Sequence, residues 1–527
     1  MNIHFTINFS GPLSAWIKAA RRCGTIGFVI PALVVLCGPQ SPLVPPAAAA
    51  EKTTVAGSPA PAETAILDLG SQRYLLFDDD GIEPGYTVTF VQHSPEKRGI
   101  VLEADRPWEN LGIWPWNTVM HDEGVFKLWY DAMTHAPGQK PRFRARLAYA
   151  TSRDGIHWEK PELGLYEFEG STKNNLLGEF SWLYGSVFKD PTGPDARRYK
   201  ITYISSPAGI TGVGLAWSPD GLRWTPSPRG HVMDHITDSA DVMFWDDRLR
   251  KYVGYFRHNN RSPEAGRFPR EVWRAETDRV EDWPKPTLNF RHDPNFDVPG
   301  TDFYNNGVIK YPWAHHAYFM RPSAFHRPSD RVEIQLATSR DGVTWRRPGG
   351  GRPWLGLGPE GSFDSHQLYI SSGIVRAGDE LWMYYTGLPR GHGRILIPES
   401  KFVGRIARSV LRLDGFVSAR GGRQTATLTT KPLRVAGGRL VLNYDAGATG
   451  EVRAELRDES NRPLPGFTLE ECKPLFGNRV HGEVTWGKGT PASAPADRPL
   501  RLHLQIRNAD VYAFEFRPSP ESRRAVR

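Results

Sequence analysis

Three segments place an acid just ahead of an aromatic and β-branched run: TDSADVMFW with Asp238, TDFYNNGVIKY with Asp302 and FDSHQLYIS with Asp364. Carboxyl groups can divide the work of cleaving a glycosidic bond, one protonating the leaving oxygen and another acting as nucleophile or activating water. Separations of about 5–5.5 Å imply retention of configuration and about 6.5–9.5 Å inversion. Asp241 comes three places after Asp238, on the opposite pleat of an extended chain, and ranks below it. The run WPWN offers Trp116 and Asn117, an aromatic face and an amide suited to stacking and bonding a sugar ring, although core packing explains a Trp equally well. Arg257 and Arg321 close two further aromatic runs, and a guanidinium fork fits a carboxylate or sulfate. His366 and His392 can move a proton or hold a cation, but no His, Cys, Asp and Glu cluster shows metal-ligand spacing, so neither a metal nor another cofactor is expected.

The elements that must position these residues repeat. Ser152 to Trp158 (SRDGIHW), Ser218 to Trp224 (SPDGLRW) and Ser339 to Trp345 (SRDGVTW) share S-x-D-G-x-x-W, and Asp282-Trp283 and Asp414-Gly415-Phe416 stand as degenerate copies. The text upstream repeats as well: VFKLWYDAM at 125–133, RYKITYISS at 198–206, KYVGYFRHN at 251–259, HAYFMRPS at 316–323 and ELWMYYTGL at 380–388. Short alternating aromatic runs of this kind are strands. Units of about four strands repeated at a fixed period describe a β-propeller, and five units predict five blades over residues 66–415. Asp154, Asp220 and Asp341 each precede a Gly and are read as turn residues, not catalysts. After Phe416 the Trp spacing stops, and six or more strand-like runs predict a β-sandwich over 416–520, with the boundary at about 414–424. The runs RYLLFDD and YTVTFVQHS, within 66–98, are expected to close the last blade.

Hydrophobic residues make up 39% and charged residues 24%, which excludes a disordered chain and a many-helix membrane protein. The net charge of +8 includes Lys18, Arg21 and Arg22 of the acid-free first fifty residues, so little excess remains to bind nucleic acid. Those three cations, the apolar stretch Gly24 to Leu36 and Ala48 with Ala50 follow the order of a secretory signal. Residues 1–50 are therefore expected to be removed on export to the periplasm or outside. Residues 51–65 read as a linker, and no stable membrane insertion is expected of the remainder. Cys23 and Cys37 precede that cut, and Cys472 alone remains.

Five repeats, the S-x-D-G-x-x-W turns and the following β domain resemble the secreted propeller glycosidases, the group that includes invertase, levanase and arabinanase-like enzymes. The runs DRPWE, KLWYDAM, YATSRDGIHWEKPELGL, FWDDRLRKYVGYFR and DVYAFEF are similar to exported bacterial proteins described as glycosyl hydrolase family 32-like, over roughly residues 66 to 517. The resemblance implies a sugar site where the innermost strands begin. It makes Asp238, Asp302 and Asp364 the catalytic carboxyls, with Asp302 or Asp364 as acid and Asp238 as base or charge stabiliser, and a poly- or oligosaccharide as substrate. The invertase motifs themselves are replaced: Trp114-Pro115-Trp116-Asn117 stands where an acid is usual, Asp190 precedes a turn, and Glu471-Cys472 lies in the sandwich stretch and is a decoy. Two alternatives stand beside this one. One is a carbohydrate-binding propeller without catalysis. The other is a sialidase-like enzyme, whose repeat has one residue more between Asp and Gly.

Overall fold

The computed structural model describes residues 66–135, 143–181, 183–206, 211–235, 237, 239–259, 269–394, 404–487 and 492–518. The expected signal and linker, residues 1–65, lie outside them, as does Asp238. The fold is all-β, interrupted among the described residues only by short 3-10 turns. No described helix is long and apolar enough to cross a membrane.

Mostly antiparallel sheets succeed one another around a closed circle, the order of a β-propeller, with one parallel pair, Val332 with Gln367, joining part of the fourth unit to the fifth. The first sheet runs Gly112–Asp122, Val125–His135, Phe143–Ser152 and Leu176–Gly178. The second comprises Tyr184–Lys189, Tyr199–Ser205, Gly212–Ser218 and Thr225–Pro226, and the third Val242–Asp246, Lys251–Asn259, Arg270–Thr277 and Thr287–Phe290. The fourth unit is split along its length. Thr301–Phe303, Ser323–His326 and Arg331–Ile334 form one half, and Ile309–Lys310, Tyr318–Met320 and Ala337–Ser339 the other. The fifth pairs Gln367–Ile370, Glu380–Leu388 and Arg405–Arg412, and its outermost strand is Glu96–Leu102 from the other end of the chain.

Hydrogen bonds from inner strands to neighbouring sheets carry the circle round. Val187 N–H donates to Thr118 Oγ1 (3.0 Å), and Ser186 Oγ donates to the Asp241 carbonyl (2.7 Å). Asn306 donates to the Tyr255 carbonyl (3.0 Å) and Asn305 to that of Ile370 (3.2 Å). Ser372 N–H donates to the Asn117 carbonyl (2.9 Å) and the Ser372 carbonyl accepts from Val119 (3.0 Å), which joins fifth sheet to first.

The S-x-D-G turn explains its own recurrence. In each copy the Ser hydroxyl accepts the Gly N–H, at 2.8, 2.8 and 2.9 Å, and the Asp carboxylate accepts the next two N–H groups. That geometry holds Gly155, Gly221 and Gly342 at φ of +71, +78 and +75°, a conformation costly for residues with a Cβ. An aromatic from the preceding sheet of the circle then grips each Gly carbonyl: Tyr384 O–H on Gly155 (2.8 Å), Trp129 Nε1–H on Gly221 (2.6 Å) and Tyr255 O–H on Gly342 (2.7 Å). The repeated motif is an inter-sheet clasp.

At the same end of the sheets a carboxylate that closes or follows the inner strand accepts a tyrosine of the next sheet. Asp122 takes Tyr199, Asp190 takes Tyr252 at 2.8 Å, and Asp246 takes Tyr318 at 2.5 Å. Asp190 also bonds Thr192 within its own turn.

The C-terminal strands form two facing sheets over one apolar core. Val417–Gly421, Ala509–Arg517, Gly438–Asp445 and Asn478–Glu483 oppose Ala426–Thr429, Arg501–Arg507 and Glu451–Arg457. The N-terminal strands differ from expectation. Leu67–Gly70 pairs with Leu433–Val435, Tyr74–Leu75 with Ala509–Arg517, and Thr89–Gln92 with Val417–Gly421. RYLLFDD and YTVTFVQHS thus extend the C-terminal sheets, and only the following Glu96–Leu102 closes the circle. The local pattern is the same for either partner, and the register is decided by which apolar face is uncovered.

Candidate functional site

One apolar cluster draws on the starts of all five inner strands, with Trp114 and Trp116, Leu183, Ala240, Tyr304 and Tyr369 among its members. On the side of the third to fifth sheets this cluster meets charge. Asp302, on Thr301–Phe303, is buried. Its Oδ2 accepts from Arg270 Nη1 at 2.9 Å and Arg327 Nη2 at 2.5 Å. The Arg257 and Arg270 guanidiniums lie 4.8 and 4.7 Å from the Tyr304 ring centre, and Arg270 and Arg327 lie 5.6 and 5.9 Å from that of Phe325. His392 packs on Phe325 (4.4 Å) and Tyr304 (5.0 Å), and Tyr304 meets Tyr369 edge-on at 5.8 Å. Tyr304, Arg270, Arg327 and His392 are half-buried, keeping part of their surface open.

The repeat explains how Arg257 reaches this group. Two residues after the clasp donors Trp129, Tyr255 and Tyr384 come Asp131, Arg257 and Thr386, with Arg321 in the same place after Phe319, and each turns toward the inner strand of the next sheet. Asp131 accepts the Tyr184 N–H (3.2 Å), Arg257 lies over Tyr304, Arg321 donates to the Gly373 carbonyl (3.3 Å), and Thr386 accepts from Asn117 (2.8 Å). One register position supplies both the seam and the charged side chains.

Burial sets the protonation states. Asp241 is enclosed, accepts the Arg257 N–H (3.1 Å) and the Thr237 hydroxyl (3.1 Å), and desolvation pushes its pKa up to about 8. It therefore keeps its proton at neutral pH. Asp131 is likewise raised by desolvation. Burial, with Arg270 nearby, lowers His392 to about 4, leaving a neutral ring, and burial lowers Arg257 to about 10, which leaves it charged.

The residues singled out from sequence are not all brought together. Asp302, Arg257 and His392 share one neighbourhood through Tyr304. Asp364 turns back into its own sheet: Oδ2 accepts from Lys97 Nζ (2.6 Å) on the outermost strand and from Tyr385 O–H (3.2 Å), and Oδ1 from Ser362 (2.8 Å). It shares no hydrogen-bond partner with Asp302 among the described residues. Asn117 is occupied by closing the circle, donating to Thr386 and to the Pro115 carbonyl and accepting from Ser371. No amide group is left for a sugar. Trp116 is buried edge-on against Trp114 at 5.7 Å, which makes it a core residue. His366 pairs with Ser365 (2.9 Å) and stands 3.6 Å from Glu360. Glu471 is exposed in the C-terminal sheets and caps a turn with Thr468. Among the described residues no group of three His, Cys, Asp or Glu is placed to hold a metal.

Arg270, Arg327 and Tyr304 were not anticipated. Tyr304 follows Asp302 by two and so faces the same side of its strand, a signal that was present in TDFYNNG. Arg270 opens a third strand and Arg327 follows a fourth-unit strand, and nothing local marks either as a neighbour of Asp302.

No protein-family profile matches this chain. Two proteins of Mycobacterium tuberculosis, from strains CDC 1551 / Oshkosh and H37Rv and both named only as uncharacterized, are 26% identical over 145 residues, 28% of this chain. The match spans 42% of the length of those curated relatives. Among solved structures, a glycosyl hydrolase from Bacteroides ovatus is similar at TM-score 0.41 and 17% identity, over 61% of this chain and 94% of that one. A thermostable family-43 glycoside hydrolase is similar at TM-score 0.40 and 17% identity, over 58% and 92%. An N-acetylgalactosamine deacetylase from F. plautii is similar at TM-score 0.42 and 17% identity, over 64% and 96%. At these TM-scores none of the three likenesses bears on function.

Proposed function

We propose that this protein is an exported glycoside hydrolase acting on a poly- or oligosaccharide, with its sugar site where the inner strands of a five-bladed β-propeller begin. The split fourth unit counts as one blade, and the C-terminal β-sandwich takes in strands from residues 67–92 as well as 416–520. The observation that carries the reading is the Asp302 carboxylate, held by Arg270 and Arg327 beside the partly open ring of Tyr304. A carboxylate fixed in this way can stabilise positive charge developing at a sugar's anomeric centre. The protonated Asp241 and Asp238, three residues before it, supply the acid and base candidates, and Tyr304 and His392 offer faces for a pyranose ring.

The test is a panel of plant and algal polysaccharides offered to the purified protein, wild type and Asp302→Asn. Asn preserves the shape and removes the charge, so turnover measured well below the unfolding transition should fall by about a hundredfold or more, while the melting temperature also falls because Arg270 and Arg327 lose their counter-charge. Full activity of Asp302→Asn on an established substrate would overturn the assignment. One observation favours a second reading, carbohydrate binding without catalysis: Asp364, the third expected carboxyl, is engaged by Lys97 and Tyr385. Saturable binding of an oligosaccharide that is never cleaved would establish that reading instead.

A further inference from the structure

The inner strands end at a second place, remote along the strands from Asp302. A cavity of about 1310 Å³ is lined by closing residues of the inner strands of the first four units, among them Val119, Phe188, Trp245 and Ile309, and by Ile374 just after that of the fifth. Its volume exceeds the roughly 300–1,000 Å³ usual for small-molecule sites.

The charges of its wall do not balance. Lys189 and Lys310 are paired with Asp122 (2.5 Å) and Asp246 (3.1 Å), and the two acids of the lining are paired too, Asp247 with Lys310 and Glu515 with Arg73. Arg248 and Arg376 are different. Arg248 donates Nε to the Tyr318 hydroxyl (3.1 Å) and Nη2 to the Asp341 carbonyl (3.0 Å), and Arg376 donates Nε to the Gly378 carbonyl (3.0 Å). Among the described residues no carboxylate lies within ion-pair distance of either.

A third guanidinium contacts a residue of the lining from behind. Arg321 is fully buried and donates Nε to Gly307 (3.0 Å) and Nη1 to Gly373 (3.3 Å), the latter a lining residue, while its Nη2 has no partner among the described residues. Burial alone lowers its pKa to about 9, so it remains charged at neutral pH. A guanidinium that lacks a carboxylate partner is stabilised when a counter-charge joins it. Trp245 and Trp313 add aromatic rings to the same wall.

We propose that this cavity is a second ligand site, one that takes an anionic small molecule, either a carboxylate- or sulfate-bearing sugar or the free oxyanion, recognised by Arg248 and Arg376. The forked N–H groups match such oxygens two at a time, and the tryptophans favour a ligand with a ring. This site does not depend on the hydrolase reading, because it shares no residue with the Asp302 neighbourhood.

Calorimetric titration of the purified protein at low ionic strength, with D-glucuronate, sodium sulfate and D-glucose as separate probes, tests it. Glucuronate or sulfate should bind, glucose should not at the same concentration, and added salt should weaken the binding. Tighter glucuronate identifies an acidic sugar as the ligand, and equal affinities identify the oxyanion alone. Arg248→Gln and Arg376→Gln should each weaken binding about tenfold, the scale of one charge-assisted hydrogen bond. Asp302→Asn should leave it within about twofold, since neither Asp302 nor its partners Arg270 and Arg327 line the cavity. Arg376 is exposed, so its variant keeps the fold, which a melting curve verifies. Absence of binding by both anions, equal binding of glucose, or unchanged affinity in both arginine variants would overturn the proposal.

Discussion

Asp241 and Asp131 are carboxyl groups that the fold keeps neutral by desolvation, and this has a direct consequence for stability. A folded-state pKa raised above the unfolded value means that the native protein holds a proton the unfolded chain has lost. Stability from such a group is complete below the unfolded pKa, near pH 4, and declines as pH rises toward the folded value, about 8 for Asp241. Within that window the slope is about 1.4 kcal/mol per pH unit for one group. Asp241→Asn keeps an oxygen for the Arg257 and Thr237 donors and removes the titration. Its melting temperature should overtake that of the wild type by a margin that widens from pH 5 to pH 8. Parallel melting curves across that range would show that Asp241 ionises freely in the native state. Asp190 and Asp246 act in the opposite sense. Lys200 and Tyr318, respectively, hold their carboxylates below the usual range despite burial, so their contribution is present above about pH 4 and is lost as pH falls through the depressed values.

At the scale of the element, the decisive feature is the clasp between a turn and the strand of the preceding sheet. A Cβ on Gly221 would lie 2.8 Å from the Trp129 ring, and the backbone there has φ of +78°. Gly221→Ala is therefore expected to lose about 1–3 kcal/mol, combining backbone strain with a clash against a rigid ring. Trp129→Phe, which removes the donor to the Gly221 carbonyl, should cost about 1–2 kcal/mol. Because the two changes act on one contact, their sum should exceed the loss in the double variant. Denaturant midpoints measure all three, and strict additivity would mean that turn and ring are energetically independent. The repeat was legible because each clasp needs the same three residue types at the same offsets. The charged partners on the intervening strands follow no such offset, which is why Arg270 and Arg327 escaped notice.

The whole molecule is closed by a strand from its N-terminal side. Glu96–Leu102 covers the free edge of the fifth sheet, and Lys97 on that strand holds Asp364 at 2.6 Å. Removing one member of a buried pair leaves the other charge uncompensated. Lys97 is partly exposed, so solvent tempers the loss, and Lys97→Met should destabilise by about 2 kcal/mol. If Asp364 serves closure, turnover at temperatures well below the transition should stay within about twofold of wild type, whereas a loss of about a hundredfold would return Asp364 to the chemistry. Thermal unfolding and initial rates on the same preparations separate the two outcomes.

Read alone, the sequence determined the strands, their grouping into repeated units and the turn chemistry of Asp154, Asp220 and Asp341, because each rests on neighbours within about ten residues. It also placed Asp302 at the start of an inner strand and Arg257 at the end of a second one. Only the tertiary structure decided where the side chains of those strands point and which distant groups they meet. Asp302 and Asp364 look alike in sequence, yet one meets Arg270 and Arg327 and the other meets Lys97, more than 250 residues away in the chain. The strands of residues 67–92 likewise found partners among the C-terminal sheets rather than in the circle. Pairing across such separations is set by which edges and apolar faces remain uncovered once the repeats have closed, and that is a property of the assembled fold.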